Sequence, residues 1–399
     1  MSISFAEKRQ SVLSAENHTC ESDKRDKSLD IIKGILIIFM VCGHGHAPFS
    51  GFITLFHMAV FFMISGYLWN NKNSSSFKSV LSYAKRKLIS LWIPYFVCNV
   101  IFILLNNVFI RIGVYATDEA FLQLVTGPRN ELAHFFGIKD YFVEIVKSFF
   151  MLDVAQLGGA LWFLRALFII TVGHALFVFL LSKTKHKNLI YGLFLSICAI
   201  GAIVINNVDL IFPEWSHNTT ISLVVKISRQ LFASYIAYFL GILIRRLKLQ
   251  NRIKQRKIVL GASAALILFA MTFIGGIDIS QGKIKGLLFY IIATLCGWVM
   301  MTAVGYALVS FNRISRFFSY IGSHTMCIIM LHLLAFKSVS WAYLAATGSN
   351  MILLASFPVL NDSNNYLWIA YTLAGTAIPL LCDFVYRIFK KRILRRKKR

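Results

Sequence analysis

Long apolar runs recur along the whole chain, and they constrain its fold more than any other feature. A transmembrane helix needs about 20 apolar residues to cross the roughly 30 Å hydrocarbon core of a bilayer. With 57% apolar and 15% charged residues, the 399-residue chain lacks the polar surface that soluble proteins of this size carry. We therefore predict an all-α, polytopic transmembrane bundle of about ten spans. The predicted spans lie near residues 31–48, 51–69, 89–106, 159–182, 188–206, 228–244, 258–277, 286–311, 317–338 and 366–386.

The basic residues orient these spans. With a cytoplasmic N-terminus, 31 of the 42 Lys and Arg residues fall in inner segments and 7 in outer segments. This is the positive-inside distribution of membrane proteins, and it predicts a multi-pass protein of the inner (plasma) membrane with both termini in the cytoplasm. The net charge of +25 follows from the same distribution, so we predict contact with membrane lipids and no nucleic-acid partner.

The sequence predicts one transmembrane domain between two cytoplasmic segments. We predict a cytoplasmic N-terminal segment over 1–30, a transmembrane domain over 31–388 and a basic cytoplasmic tail over 389–399. The first apolar run has no small-residue cleavage site and reads as a retained span. The seven cysteines are scattered through apolar segments without metal-ligand spacing, so neither a disulfide framework nor a metal site is expected.

The first span carries ionisable residues, which are costly in a bilayer and usually face the protein interior. Lys33 and His44 are eleven residues apart, so they share one helix face and lie roughly 16 Å apart along the axis. Asp30 is three residues before Lys33 and can pair with it on that face. A histidine is the natural proton acceptor near neutral pH. Helix capping by Asp30 and Lys33, and packing by His44, are the alternative interpretations.

The sequence of this region resembles the opening of the membrane acyltransferase-3 family, and within it the fucose 4-O-acetylase-like proteins. The family signature is a basic residue, ten residues and a histidine, which Lys33 and His44 match, although Arg is more usual at the first position. The following FHM…ISG segment has Ala59 in place of the usual proline. Later matches to the family are Arg86-Lys87, Leu91, Pro94-Tyr95, Leu161-Trp162-Phe163-Leu164, Tyr320-Ile321-Gly322 and Leu331-His332.

This resemblance implies an enzyme. Members of the family transfer acyl groups, usually acetyl, to sugars and other acceptors of the cell envelope. It implies acetyl-CoA as the acyl donor, no tightly bound cofactor, and an envelope glycan or lipid-linked sugar as the acceptor. In that scheme His44 is the general base on the acceptor hydroxyl, while Lys33 and Asp30 orient or tune the donor path.

Further polar residues are candidates for binding. The candidates for the acceptor site are His57, Ser65, Trp162 and Arg165. Basic side chains suit phosphate groups, and the candidates for coenzyme A are Lys85, Arg86 and Lys87. Pairing with a structural acid explains Arg165 equally well, and a positive-inside anchor explains the basic cluster. His324 and His332 lie eight apart, close to one face of the predicted ninth span, but the resemblance implies no metal there.

A second function class fits the same composition. Ten spans with an internal polar stripe are also typical of a transporter or polysaccharide flippase. Inverted repeats or pairs of Gly- and Pro-broken spans would favour that class. The sequence has no convincing repeat and only six prolines, so the acyltransferase is the preferred hypothesis.

Overall fold

The computed structural model describes residues 26–125, 130–212, 215, 219–360 and 366–396. The predicted terminal segments, 1–30 and 389–399, therefore lie largely or partly outside the described residues. Over the described ranges the regular secondary structure is helical apart from one short hairpin. Its first helices are α1 Lys27–His44, α2 Ser50–Thr54, α3 His57–Tyr67, α4 Phe77–Lys87, α5 Ile93–Leu104, α6 Asn106–Arg111, α7 Glu119–Leu124, α8 Ile138–Phe149 and α9 Trp162–Ser182.

The second half continues in the same way and contains the hairpin. Its helices are α10 Lys187–Asn206, α11 Val208–Ile211, α12 Thr219–Arg246, α13 Leu249–Gln255, α14 Lys257–Thr272, α15 Leu287–Leu308, α16 Asn312–Ser323, α17 Thr325–Thr347 and α18 Leu367–Arg396. The antiparallel strands are β1 Ile277–Asp278 and β2 Lys283–Ile284. Single turns of 3₁₀ helix lie at Asn71–Ser74, Gln156–Leu161 and Met351–Ala355, and a π-helical turn at Leu88–Trp92.

The all-α, polytopic architecture is confirmed. Within the described residues, eight helical segments are long and apolar enough to cross a membrane. A ninth arises if α13 and α14, which meet at an angle of 101°, form one broken span. Helix α1 has 18 residues, but three of them are charged, so it is not among these eight. These segments and α1 cover all ten predicted regions.

Two predicted boundaries were wrong. The ninth span does not begin near residue 317, because α16 ends at Ser323 and α17 begins at Thr325. His324 is the residue between the two helices, so it does not share a face of one helix with His332. The seventh span ends at Thr272, since the chain turns there into the β1–β2 hairpin. Apolar composition alone does not distinguish a helix from the non-helical segment that follows it.

Helix α1 lies at the centre of the bundle and contacts α3, α15, α16, α17 and α18. Twelve of its residues are buried. The Asp26 carboxylate caps its first turn by accepting from the Ser28 amide at 2.9 Å. By contrast, α10 exposes an apolar stripe of Leu193, Ile197, Ile200 and Val204. An exposed stripe at helical spacing is what membrane lipid solvates.

Glycines set the closest helix crossings. A Cβ on Gly34 of α1 would overlap the carbonyl oxygen of Phe318 in α16, and a Cβ on Gly322 would overlap the carbonyl of Asp30. Gly66 of α3 approaches the backbone of α12 in the same way. Small residues let helix backbones approach within van der Waals distance where lipid offers no hydrophobic driving force.

We predict that Gly322→Ala destabilises the protein, because its new methyl group displaces α16 from α1. Overpacking of this kind costs about 1–3 kcal/mol, so the thermal unfolding temperature in detergent should fall. Gly192→Ala on α10 is the matched control, because nothing lies within 4 Å of its Cβ position. That variant should unfold at or above the wild-type temperature, since Ala favours helix over Gly. Equal unfolding temperatures for the two variants would contradict the close crossing.

Candidate active site

A cavity of about 680 Å³ lies where α1 ends; we call it the main cavity. It contains three histidines, an aromatic wall and part of the β hairpin. Its lining residues are Met40, Gly43, His44, His46, Thr54, His57, Met58, Ala160, Trp162, Gly276, Ile277, Asp278, Ile279, Ser280, Lys283, Ile284, Lys285, Phe357 and Pro358.

His44 is the last residue of α1 and faces this cavity. Gly45 caps the helix, and its amide donates to the Val41 carbonyl at 2.9 Å. The next residue, His46, adopts a left-handed backbone with φ 59° and lies on the cavity rim. The His44 ring centroid is 5.3 Å from the ring centroid of His332 in α17. The end of the helix therefore places one imidazole between the cavity and a second, buried imidazole.

His57 is the first residue of α3 and lines the same cavity. Its Nδ1 lies 2.9 Å from the Ile53 carbonyl oxygen. A carbonyl oxygen only accepts, so Nδ1 carries the proton and the neutral ring leaves Nε2 as a proton acceptor. His57, a candidate for the acceptor site, thus lines the same cavity as His44, and the cavity contains two imidazoles able to take a proton.

Trp162 forms part of the aromatic wall. It begins α9, directly after the 3₁₀ turn Gln156–Leu161, and its ring packs beside those of Phe62 and Phe163. The ring is nearly buried, so its orientation is set by packing. An indole presents a broad apolar face with one polar atom. Such a face suits a ligand with both apolar and hydroxyl-bearing sides.

Arg165 does not line the cavity, and it pairs with no carboxylate among the described residues. Its guanidinium donates to the carbonyls of Met151 and Leu152, at 3.1 and 3.0 Å, and to Gln230 Oε1 at 2.6 Å. Gln230 Nε2 in turn donates to the carbonyl of Ser280, in the hairpin that lines the cavity. The structure thus places Arg165 behind the cavity wall, where it supports the hairpin through Gln230.

A second buried basic side chain supports another part of the cavity wall. Lys337 of α17 is buried, and its Nζ donates to the carbonyls of Leu354 and Ser356, at 2.9 and 2.6 Å. The next residues, Phe357 and Pro358, line the main cavity. The lysine therefore connects the loop that carries these two residues to α17 through two backbone carbonyls.

The opposite end of α1 contains the other part of the predicted stripe. Lys33 Nζ lies 2.8 Å from Asp30 Oδ1, so the predicted pairing is confirmed. Asp30 faces a smaller cavity of about 400 Å³, which we call the Asp30 cavity. Its lining residues are Lys27, Asp30, Ser315, Arg316, Ser319, Tyr320 and Ser323. Ile37 and Met40, both buried, occupy the face of α1 between the two cavities.

The other predicted binding residues lie outside these two cavities. Ser65 donates to the Phe61 carbonyl at 3.3 Å within α3. Lys85, Arg86 and Lys87 occupy the last turn of α4, just before the predicted start of the third span near residue 89. Arg86 contacts Ser82 and Asn73, and Lys87 lies over the ring of Tyr83.

Several residues of the two cavities were not predicted. Asp278 and Lys283 are opposite each other in the hairpin, between the predicted spans 258–277 and 286–311. Arg316 was counted as an inner basic residue but not assigned to a site. The only sequence feature that could have identified these three residues is a charge beside a predicted span. Many other charged residues share this feature, so it does not single them out. No three His, Cys, Asp or Glu side chains in the described ranges come close enough to bind a metal.

Comparison with protein-family models gives one match. A model described as an acyltransferase domain matches residues 26–386. This range contains both cavities and every described span except the end of the last one, which continues to Arg392. The chain has no significant match among curated proteins or among solved structures.

Proposed function

The chain belongs to the acyltransferase family whose model spans residues 26–386, and from that premise we propose that it is an integral membrane O-acyltransferase. It would move an acyl group, in the first instance acetyl, from acyl-CoA to a hydroxyl of an envelope glycan or lipid-linked sugar. The observation that carries this proposal is the juxtaposition of His44, His57 and Trp162 around one cavity at the end of α1.

The reaction at the main cavity needs a base and a bound acceptor. His44 takes the proton of the acceptor hydroxyl as the oxygen attacks the thioester carbonyl carbon. The C–O bond forms, the C–S bond breaks, and the thiolate of coenzyme A leaves and takes up the proton. Trp162 provides a surface for the sugar, and His57 Nε2 accepts a hydrogen bond from a second hydroxyl.

The donor is proposed to bind at the other end of α1. Lys27 and Arg316 line the Asp30 cavity, and basic side chains suit the phosphates of coenzyme A. The acyl arm would then follow the face of α1 toward His44. Ile37 and Met40 fill that path, so they must move for the thioester to reach His44. Lys27 and Arg316 line a cavity at one end of this path, whereas the predicted Lys85–Lys87 cluster lies outside both cavities. The Asp30 cavity is therefore the better candidate for the phosphates.

The basic residues support an orientation for this path. The Asp30 cavity would face the cytoplasm, where acyl-CoA is made, and the main cavity would face the outside of an inner (plasma) membrane. Donor and acceptor would then arrive from opposite sides of the bilayer. A transporter or flippase is not favoured, because the family match covers nearly the whole chain.

Release of free thiol tests the proposal. The purified protein, in lipid nanodiscs, is mixed with acetyl-CoA and with envelope glycan from a strain that lacks this gene. We expect thiol release that depends on the glycan, and glycan that is heavier by one acetyl group per modified unit in mass spectrometry. A transporter would release no thiol, and thiol release without glycan modification would indicate hydrolysis only.

A further inference from the structure

His332 is a fully buried imidazole directly behind His44. It lies in α17 with 0% exposed surface and does not line the main cavity. Its ring is tilted by 38° to the His44 ring at the 5.3 Å centroid distance, and the ring of Phe336 packs on it at 5.6 Å. His332 therefore contacts a ring that lines the cavity without itself being able to touch a substrate there.

The hydrogen bond of His332 determines which of its two ring nitrogens carries the proton and which is an acceptor. Nδ1 lies 2.8 Å from the Ile328 carbonyl oxygen, so Nδ1 carries the proton. Nε2 of the neutral ring is then an acceptor, and it has no hydrogen-bond partner among the described residues. A buried acceptor without a partner has lost its hydrogen bond to water without a replacement, and such a group beside a candidate active site calls for an explanation.

We propose that His332 is a positioning residue for His44: its Nε2 accepts the ring N–H of His44 when the acceptor is bound. This inference rests on the proposed acyltransferase function. The hydrogen bond holds the other His44 nitrogen as the acceptor that faces the substrate hydroxyl. When His44 takes the hydroxyl proton, it becomes an imidazolium, and the His332 lone pair stabilises that charge. Hydrogen bonds of this kind are often long without substrate and shorten in the reacting complex.

His174 provides a natural comparison for a packing role. It is also a buried imidazole within a span, its Nδ1 lies 3.1 Å from the Tyr235 hydroxyl, and its Nε2 has no partner among the described residues. Its ring packs on Trp69 at 4.9 Å. Among the described residues, the His174 ring packs on Trp69, Tyr235 and Tyr238, and none of these lines the main cavity. A substitution at His174 therefore changes local burial and packing but leaves the contacts of the His44 ring unchanged.

Two amide substitutions separate the roles of the two His332 nitrogens. In His332→Asn the side-chain amide can replace Nδ1 as donor to Ile328 but is too short to replace Nε2. In His332→Gln the longer side chain places an acceptor oxygen near the position of Nε2. We expect His332→Asn and His332→Leu to lower kcat roughly 10–100-fold, which is less than removal of the base itself. We expect His332→Gln to keep most of the wild-type kcat.

The assay is glycan-dependent thiol release, with KM for acetyl-CoA and thermal unfolding measured for each variant. KM should stay near the wild-type value, because His332 does not contact either cavity. His174→Leu, as the packing control, should leave kcat within about threefold of wild type, since it removes no contact with the His44 ring. A kcat for His332→Gln no higher than for His332→Asn, or a loss equal to that of His174→Leu, would overturn the proposal. If His332→Leu does not fold, the Gln and Asn pair still decides.

A second measurement does not depend on activity. The ¹⁵N resonances of the His44 ring, measured with the envelope glycan present and assigned through a His44→Asn variant, report whether a ring N–H of His44 is hydrogen bonded. We expect those resonances to move in His332→Asn and to remain near their wild-type positions in His332→Gln and His174→Leu. If the resonances shift in this way but the wild-type protein releases no thiol, the proposed function is wrong and the His44–His332 hydrogen bond still stands. Active protein with unmoved resonances would reject the positioning role.

Discussion

His44→Ala is expected to abolish acyl transfer while the protein still inserts and folds. A positioned general base contributes typically 10²–10⁴-fold to a rate, and His44 is the candidate base at the end of α1 that faces the main cavity. The side chain is only half-buried, so its removal leaves a small space at the cavity wall and should change the unfolding temperature little. The measurement is glycan-dependent thiol release by protein that elutes as a single species in detergent.

Two neighbouring histidines are the controls for this prediction. His46 lies on the rim of the same cavity and is exposed, so His46→Ala should retain most activity. His57 also lines the cavity, with its Nδ1 bonded to the Ile53 carbonyl, and is the alternative base. Near-normal transfer by a well-folded His44→Ala protein, together with loss in His57→Ala, would assign the base to His57. Near-normal transfer by both variants would remove this cavity as the place of reaction.

Lys33→Met is expected to lower transfer about tenfold or more, a change that corresponds to about 1.4 kcal/mol. Lys33 compensates Asp30 at 2.8 Å, and the Asp30 side chain is only 10% exposed. Without Lys33, the carboxylate remains uncompensated at the wall of the cavity proposed for coenzyme A phosphates and repels them. Lys33→Arg keeps the charge and should keep most activity. The readout is kcat and KM for acetyl-CoA, and KM should rise.

Folding must be separated from catalysis in this variant. Loss of one partner of a fully buried ion pair costs roughly 3–5 kcal/mol, and less here because Lys33 is 25% exposed. The double variant Asp30→Asn with Lys33→Met removes both charges together. A double variant that folds but stays inactive means that charge at this end of α1 is needed for transfer. Recovered activity would mean that Lys33 only neutralises Asp30 and that the lysine has no direct role in transfer.

The spans, their order and the ends of the polar stripe could be predicted from the sequence. Each depends on local properties: the length of an apolar run, the charge beside it, and the helical spacing that places Lys33 and His44 on one face. The same local spacing predicted the Asp30–Lys33 ion pair. Such features need no knowledge of which helices are neighbours, because the bilayer and the helix impose the same geometry on every span.

The contacts between distant segments were decided only by the tertiary structure. Arg165 was a candidate for substrate binding, but α9 directs it toward backbone carbonyls and Gln230, behind the cavity wall. His332 had no assigned role, and it becomes a neighbour of His44 because α17 packs against α1. Glycine crossings such as that of Gly34 with α16 help to fix how these helices meet, and they depend on the space left between two backbones. Periodicity along one helix carries no information about that space, so the neighbours of His44 follow from packing alone.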